Sequence, residues 1–143
     1  MSTEWAYEFF KSLASKRVRA EAAQAEAEAQ RWRSVGLVGA MKSGWRSDHT
    51  ANDAISSARA KDKATRARRE YDAAASRADG YLAELREANP TNGSMWAEAL
   101  RMRYLAGLRW DVIARRMGVS ERTAYLWHRT ALDWLDGNVA PGL

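Results

Sequence analysis

The chain has 143 residues, 23 Lys and Arg against 18 Asp and Glu, a net charge of +5, two histidines and no cysteine. That length holds one ordinary domain, or a small globular unit with an extended helical arm, and the lack of cysteine excludes disulfides and thiolate metal sites. His49 and His128 lie too far apart in sequence to suggest a local ligand pair, so no metal is expected; no nucleophile, base and orienting group occur together in a recognisable arrangement, so no cofactor and no enzymatic function is expected either.

An isoelectric point near 9.8 draws the protein to polyanions without saying which. Ala, Arg and Glu are abundant and there are two prolines, a balance that favours helix nearly throughout and an all-α fold. MSTEWAYEFFKSL carries Glu4 and Glu8 within its apolar run, unlike a secretion signal, and no stretch approaches the roughly 18 apolar residues of a membrane span. The expected location is the cytoplasm, with no membrane partner.

Residues 4 to about 34 read as one long helix. Its first half, with Trp5, Phe9, Phe10 and Leu13, is apolar but irregular in register. Its second half repeats Val18, Ala22, Ala25, Ala29 and Trp32 at alternating intervals of four and three, a heptad seam. A joint follows near residues 35–50, SVGLVGAMKSGWRSDHT, containing Gly36, Gly39 and Gly44. Its GLVGAMKS segment lacks the glycine that a phosphate-binding loop needs directly before its lysine, since Met41 precedes Lys42, so a plain loop is expected.

A second helix should run from about Ala51 to Ala88. Ala64, Ala67, Tyr71, Ala74, Ala78, Tyr81, Leu85 and Ala88 repeat at three and four without a break, and alanine at most of these positions demands close backbone approach. Two such stripes imply a long antiparallel helical hairpin, coiled-coil-like, over residues 1–90; pairing within one chain and pairing between two chains both remain open. Arg31, Arg33, Lys42 and Arg46 form one basic run; Arg59, Lys61, Lys63, Arg66, Arg68 and Arg69, opposed by Asp62 and Glu70, form another. Either this is a solvated helix face or an auxiliary phosphate contact.

Asn89-Pro90 ends the second helix, and Thr91-Asn92-Gly93-Ser94 is turn chemistry with Ser94 as the expected N-cap. Residues 91–143 then read as a second domain of three helices, about 95–106, 110–117 and 121–136, broken at Gly107 and Gly118 and ended by Gly137. A helix-turn-helix needs a small residue where its two helices cross, and four positions later a residue that tolerates positive φ. Ala114 and Gly118 have that spacing. Val112, Ile113, Met117, Val119, Ala124 and Trp127 fall where a shared core would form, and Ser120 is placed to cap the last helix. The face formed by Glu121, Arg122, Thr123, Tyr125, Leu126 and Arg129 would then be free to enter a DNA major groove.

RYLAGLRWDVIARRMGVSERTAYLWHRTALDWL resembles the region-four DNA-binding domain of bacterial sigma factors, through Arg103-Tyr104-Leu105, Trp110, Ile113-Ala114, Gly118-Val119-Ser120 and Ala131-Leu132 with Leu135. Across its whole length the chain resembles a family of phage and prophage proteins regarded as sigma-like or late-gene transcriptional regulators. The resemblance implies that Arg122, Thr123, Tyr125 and Leu126 touch base edges, with Glu121 near a cytosine or orienting Arg122, and that Arg115, Arg116 and Arg129 hold phosphates. Where the family has a capping Ser or Thr before the first helix of the pair, this chain has Arg109. That cap is weaker by about 1 kcal/mol unless Asp111 offsets it through the helix dipole, and Arg109 is left to reach a phosphate.

The bland readings stand beside these. Arg115 and Arg116 fit a merely polar helix face, Trp110, Trp127 and Trp134 fit a core, and His128 fits a surface or edge position. The basic residues after position 90, namely Arg101, Arg103, Arg109, Arg115, Arg116, Arg122 and Arg129, are all arginines, whose planar forks suit guanine edges and phosphates. The expected partner is double-stranded DNA, with RNA polymerase as a second and a homo-oligomer, a dimer, formed through the N-terminal helices. Two rivals are a packaging protein like a terminase small subunit, in which the DNA module usually comes first, and an interaction module that binds polymerase without DNA.

Overall fold

The structure is a computed structural model and describes residues 4–41 and 47–141. Among the described residues every regular element is helical: α1 (Trp5–Met41), α2 (Ser47–Ala88), α3 (Gly93–Leu100), a π-helical turn (Arg101–Leu105), α4 (Trp110–Met117) and α5 (Glu121–Asn138). A long N-terminal helical region precedes a C-terminal helix-turn-helix domain, as expected from the sequence. None of the described helices is long and apolar enough to cross a membrane.

The joint expected over residues 35–50 is shorter on both sides. The backbone stays helical through Gly36 and Gly39 to Met41 and is helical again from Ser47. Each glycine costs a helix about 1 kcal/mol relative to alanine, too little to end one whose other residues there are Val, Leu, Ala and Met. Lys42, Gly44 and Arg46 lie outside the described residues.

The chain divides into two compact units, Lys16–Asp72 and Met1–Ser15 with Ala73–Leu143. The junction read near residues 89–94 is thus an end of helix α2, while the unit holding the helix-turn-helix reaches back across it to residue 73 and takes in the start of α1.

In the unit Lys16–Asp72, α1 and α2 run antiparallel within the chain. Gln30 Nε2 donates to Asp53 Oδ1 at 3.1 Å, Lys63 meets Glu26 at 3.8 Å and Arg19 meets Glu70 at 4.0 Å, a pairing whose order reverses along the two helices. The core is Ala20, Ala23, Ala64 and Ala67, flanked by Ala27 and Tyr71. On α2 this is the stripe read from the sequence. On α1 it is not: Val18 is 56% exposed and Trp32 73%, and Ala22, Ala25 and Ala29 also face solvent. The buried face lies two residues away, about half a turn round the helix. AEAAQAEAEAQ offers more than one set of alanines at helical spacing, and the set between the larger end residues loses to the one that lets two alanine faces meet.

In the other unit the core holds Phe10, Leu13, Leu82, Leu85, Leu100, Leu132 and Leu135, all essentially inaccessible. Ala74, Ala78 and Leu85 continue the α2 stripe as read, but Ala88 is exposed. Tyr81 packs edge-on against Trp5 and Phe9, each at 5.2 Å between ring centroids. The backbone amide of Ala6, in the first turn of α1, donates to Asp136 Oδ1 of α5 at 2.7 Å, so a carboxylate remote in sequence caps a helix start.

Two of the expected helix ends shift. Asn92, not Ser94, occupies the N-cap of α3, with no side-chain cap bond. Gly93, the first residue of α3, sits against the end of α2, where a Cβ would lie 2.6 Å from the Leu85 carbonyl oxygen and 2.9 Å from the Arg86 Cα. Gly137 does not end α5, which continues to Asn138 and closes with the Val139 and Ala140 amides on the Leu135 carbonyl.

Candidate nucleic-acid interface

The bend between α4 and α5 is built by Gly118, with φ 69° and ψ 32° in the left-handed region that a Cβ disfavours. The Gly118 amide donates to the Arg115 carbonyl at 3.3 Å and the Val119 amide to Ala114 at 3.0 Å, a Schellman closure that satisfies the last carbonyls of α4. Ser120 follows in extended geometry and caps α5: the Thr123 amide donates to its Oγ at 3.1 Å. The Ser120 hydroxyl in turn donates to Thr123 Oγ1 at 2.9 Å. The Ser120 hydroxyl is therefore spent on fixing the first turn of α5, whereas Thr123 Oγ1 accepts there and keeps its own proton; Thr123 is half-buried.

Ile113, Ala114 and Ala124 form the core where α4 crosses α5, with Met102, Leu108, Trp110, Met117 and Val119 packed around them. Ala114 lies at the crossing, as its spacing from Gly118 implied. Val112, Trp110, Trp127 and Trp134 are half-buried and not fully enclosed. Arg109 is the N-cap of α4 and makes no cap bond; its guanidinium instead meets Asp111 at 3.3 Å, and Arg115 approaches the same carboxylate at 3.9 Å. Such exposed pairs contribute about 0–1 kcal/mol each, so a phosphate can take either arginine from Asp111.

Arg115, Arg116, Glu121 and Arg122 are exposed. Tyr125 is 46% and Leu126 50% exposed. Arg116 and Arg122 form no ion pair with any described residue, whereas Arg129 is half-buried and lies 3.6 Å from Asp133. The unit therefore leaves the outer face of α5 open, with two large apolar side chains next to an uncommitted guanidinium. Among the described residues no three His, Cys, Asp or Glu side chains converge as a metal site would require.

Beneath this face is an aromatic cluster that the sequence did not announce. His128, expected at a surface or edge, is 3% exposed. The Tyr104 hydroxyl lies 2.6 Å from its Nε2, and Trp110 packs edge-on to the imidazole at 4.9 Å. Burial pushes the His128 pKa down to about 4; the Tyr125 backbone opposes this in part, and the charges of Arg129 and Arg103 add to it. Burial also raises Tyr104 to about 12. Trp110 makes a T-shaped contact with Tyr125 at 5.5 Å, and the Arg103 guanidinium lies 5.0 Å from the indole centroid while donating to the Leu108 carbonyl. Tyr125 is thus held by its ring on one side and presented to solvent on the other.

The signal for His128 was available: Ala124, His128, Ala131, Leu132 and Leu135 form one buried stripe at helical spacing, and His128 sits within it. Tyr104, its partner, lies where the helix after Leu100 widens into a π turn, in which the Ala106 amide donates to the Arg101 carbonyl at 3.0 Å. No propensity in RMRYL marks that widening. Gly107, at φ 71°, then ends the turn.

Residues 93–133 match a homeodomain-like domain. The match covers α3, the π turn, α4 and most of α5, and it supports a DNA-binding helix-turn-helix. No curated protein and no solved structure matches the chain.

Proposed function

We propose that the protein is a sequence-specific double-stranded DNA-binding regulator of transcription, of the sigma-like kind found in phages and prophages, acting in the cytoplasm of a bacterial host. The observation that carries this reading is the open face of α5: Arg122, Tyr125 and Leu126 project to solvent from a helix whose first turn is fixed by Ser120 and whose underside is fixed by Trp110 and His128. A rigid helix that exposes apolar groups beside a free arginine fits base edges, where a guanidinium reads guanine and an apolar group meets the thymine methyl.

In this reading Arg122 is the principal base contact, Tyr125 and Leu126 add apolar contact, and Glu121 orients Arg122 or accepts from cytosine. Ser120 positions the helix start, and Thr123, held by it, offers its hydroxyl proton to a base edge. Arg109, Arg115, Arg116 and Arg129 hold phosphates, with Arg116 the least committed within the protein. The N-terminal hairpin serves self-association into a dimer or recruits RNA polymerase. Selection of bound duplexes from a random library tests the reading: a defined short motif that Arg122→Ala relaxes supports it, and recovery of no motif refutes it.

A further inference from the structure

Within the unit Lys16–Asp72 there is a groove of about 670 Å³ between α1 and α2. Its lining includes Ala27, Ala58 and Ala64, while Arg31, Lys61, Arg68 and Arg69 stand against one carboxylate, Glu28. We infer that this groove binds the phosphodiester backbone of duplex DNA and gives the arm a sequence-independent contact of its own; the inference rests on the DNA-binding reading of α5.

Three features support it. First, Arg31, Lys61 and Arg69 are exposed and form no ion pair with any described residue; Arg68 is held by Asp72 at 3.1 Å and lies over the Tyr71 ring at 5.7 Å. A cation without a partner has least to lose on meeting a phosphate. Second, Ser57, Lys61, Thr65 and Arg68 occupy one face of α2. Lys61 and Arg68 are about 10 Å apart along the axis at ~1.5 Å per residue, far enough apart to meet two separate phosphates of a strand. That spacing suits a run of phosphates better than a single anion. Third, alanines at the groove leave room for a backbone to approach, and the arginine forks offer paired donors to phosphate oxygens.

The test uses the full chain and two duplexes, one bearing the motif selected by the wild type and one scrambled. Arg31, Lys61 and Arg69 are replaced together by glutamine, a good helix former, and circular dichroism checks the fold. The plot of log affinity against log salt should lose about 0.9 in slope for each phosphate contact removed, hence about 2.7 for the three, on both duplexes alike. The selected motif should not change. Arg69→Gln alone should lose about 0.9, which keeps the test open should the triple variant fold poorly.

An unchanged slope in these variants, while Arg116→Ala lowers it, overturns the groove as a DNA contact and leaves the α5 reading standing. A wild type without salt-dependent binding overturns both. Loss of polymerase capture by the triple variant with an unchanged DNA slope makes the groove a protein site and overturns the inference.

Discussion

The buried His128 ties stability to pH in a way that can be isolated. Its imidazole is enclosed by Tyr104, Trp110 and Tyr125, and its pKa is pushed down to about 4, against an ordinary value near 6.5. The unfolded chain takes up a proton as pH falls through about 6.5, whereas the folded chain resists until about 4. The stabilisation is therefore complete above 6.5 and is lost between 6.5 and 4. At ~1.4 kcal/mol per pKa unit, the loss by pH 4 is about 3 kcal/mol. Urea denaturation of the wild type and of His128→Gln should be followed from pH 8 to pH 4. Carboxylates contribute to both proteins and cancel in the difference. The variant starts lower at neutral pH, having lost the bond to Tyr104, and the gap should close and reverse as the solution is acidified. Parallel curves over the whole range would show that His128 is accessible to protons in the folded chain and would refute its burial under α5.

Gly118→Ala should cost roughly 1–2 kcal/mol by urea denaturation through backbone strain alone, since a Cβ there meets nothing within 4 Å, and Gly118→Asn should cost less. Equal costs for the two, or none, would refute the left-handed bend. Asp136→Ala should destabilise by about 1 kcal/mol through loss of the cap on Ala6, while Asp136→Asn, which keeps an acceptor, should retain most of it; an Ala variant as stable as the wild type would place that carboxylate elsewhere. Arg116→Ala should weaken binding to all duplexes alike and lower the salt slope by about 0.9, whereas Arg122→Ala should leave the slope nearly intact and cost about 1–3 kcal/mol on the specific site only.

The α4–α5 turn was the most legible part of the chain, because several local rules agree there: Gly118 where φ must be positive, Ser120 where a cap is needed, and Ile113 and Ala124 where the helices cross. The α2 stripe was also legible, since tyrosine and leucine mark its register among the alanines. The α1 stripe was not, because alanines recur on two faces and only tertiary pairing chooses between them. The interface support was missed for a different reason. Tyr104 meets His128 from within a π turn 24 residues away in sequence, and Asp136 meets Ala6 across 130 residues. Neither meeting follows from local spacing. The exposed character of Arg122, Tyr125 and Leu126, by contrast, was legible from the turn at Gly118, the cap at Ser120 and the placing of Ala124 on the core side of α5.

Selection of bound sequences from a random duplex library, run in parallel for the wild type and Arg122→Ala at two salt concentrations, addresses the role of α5 most directly. The expected result is a short motif for the wild type that persists at the higher salt and becomes degenerate at one or two positions in the variant. Identical motifs from the two proteins, or none from either, would contradict base reading by the exposed face of α5.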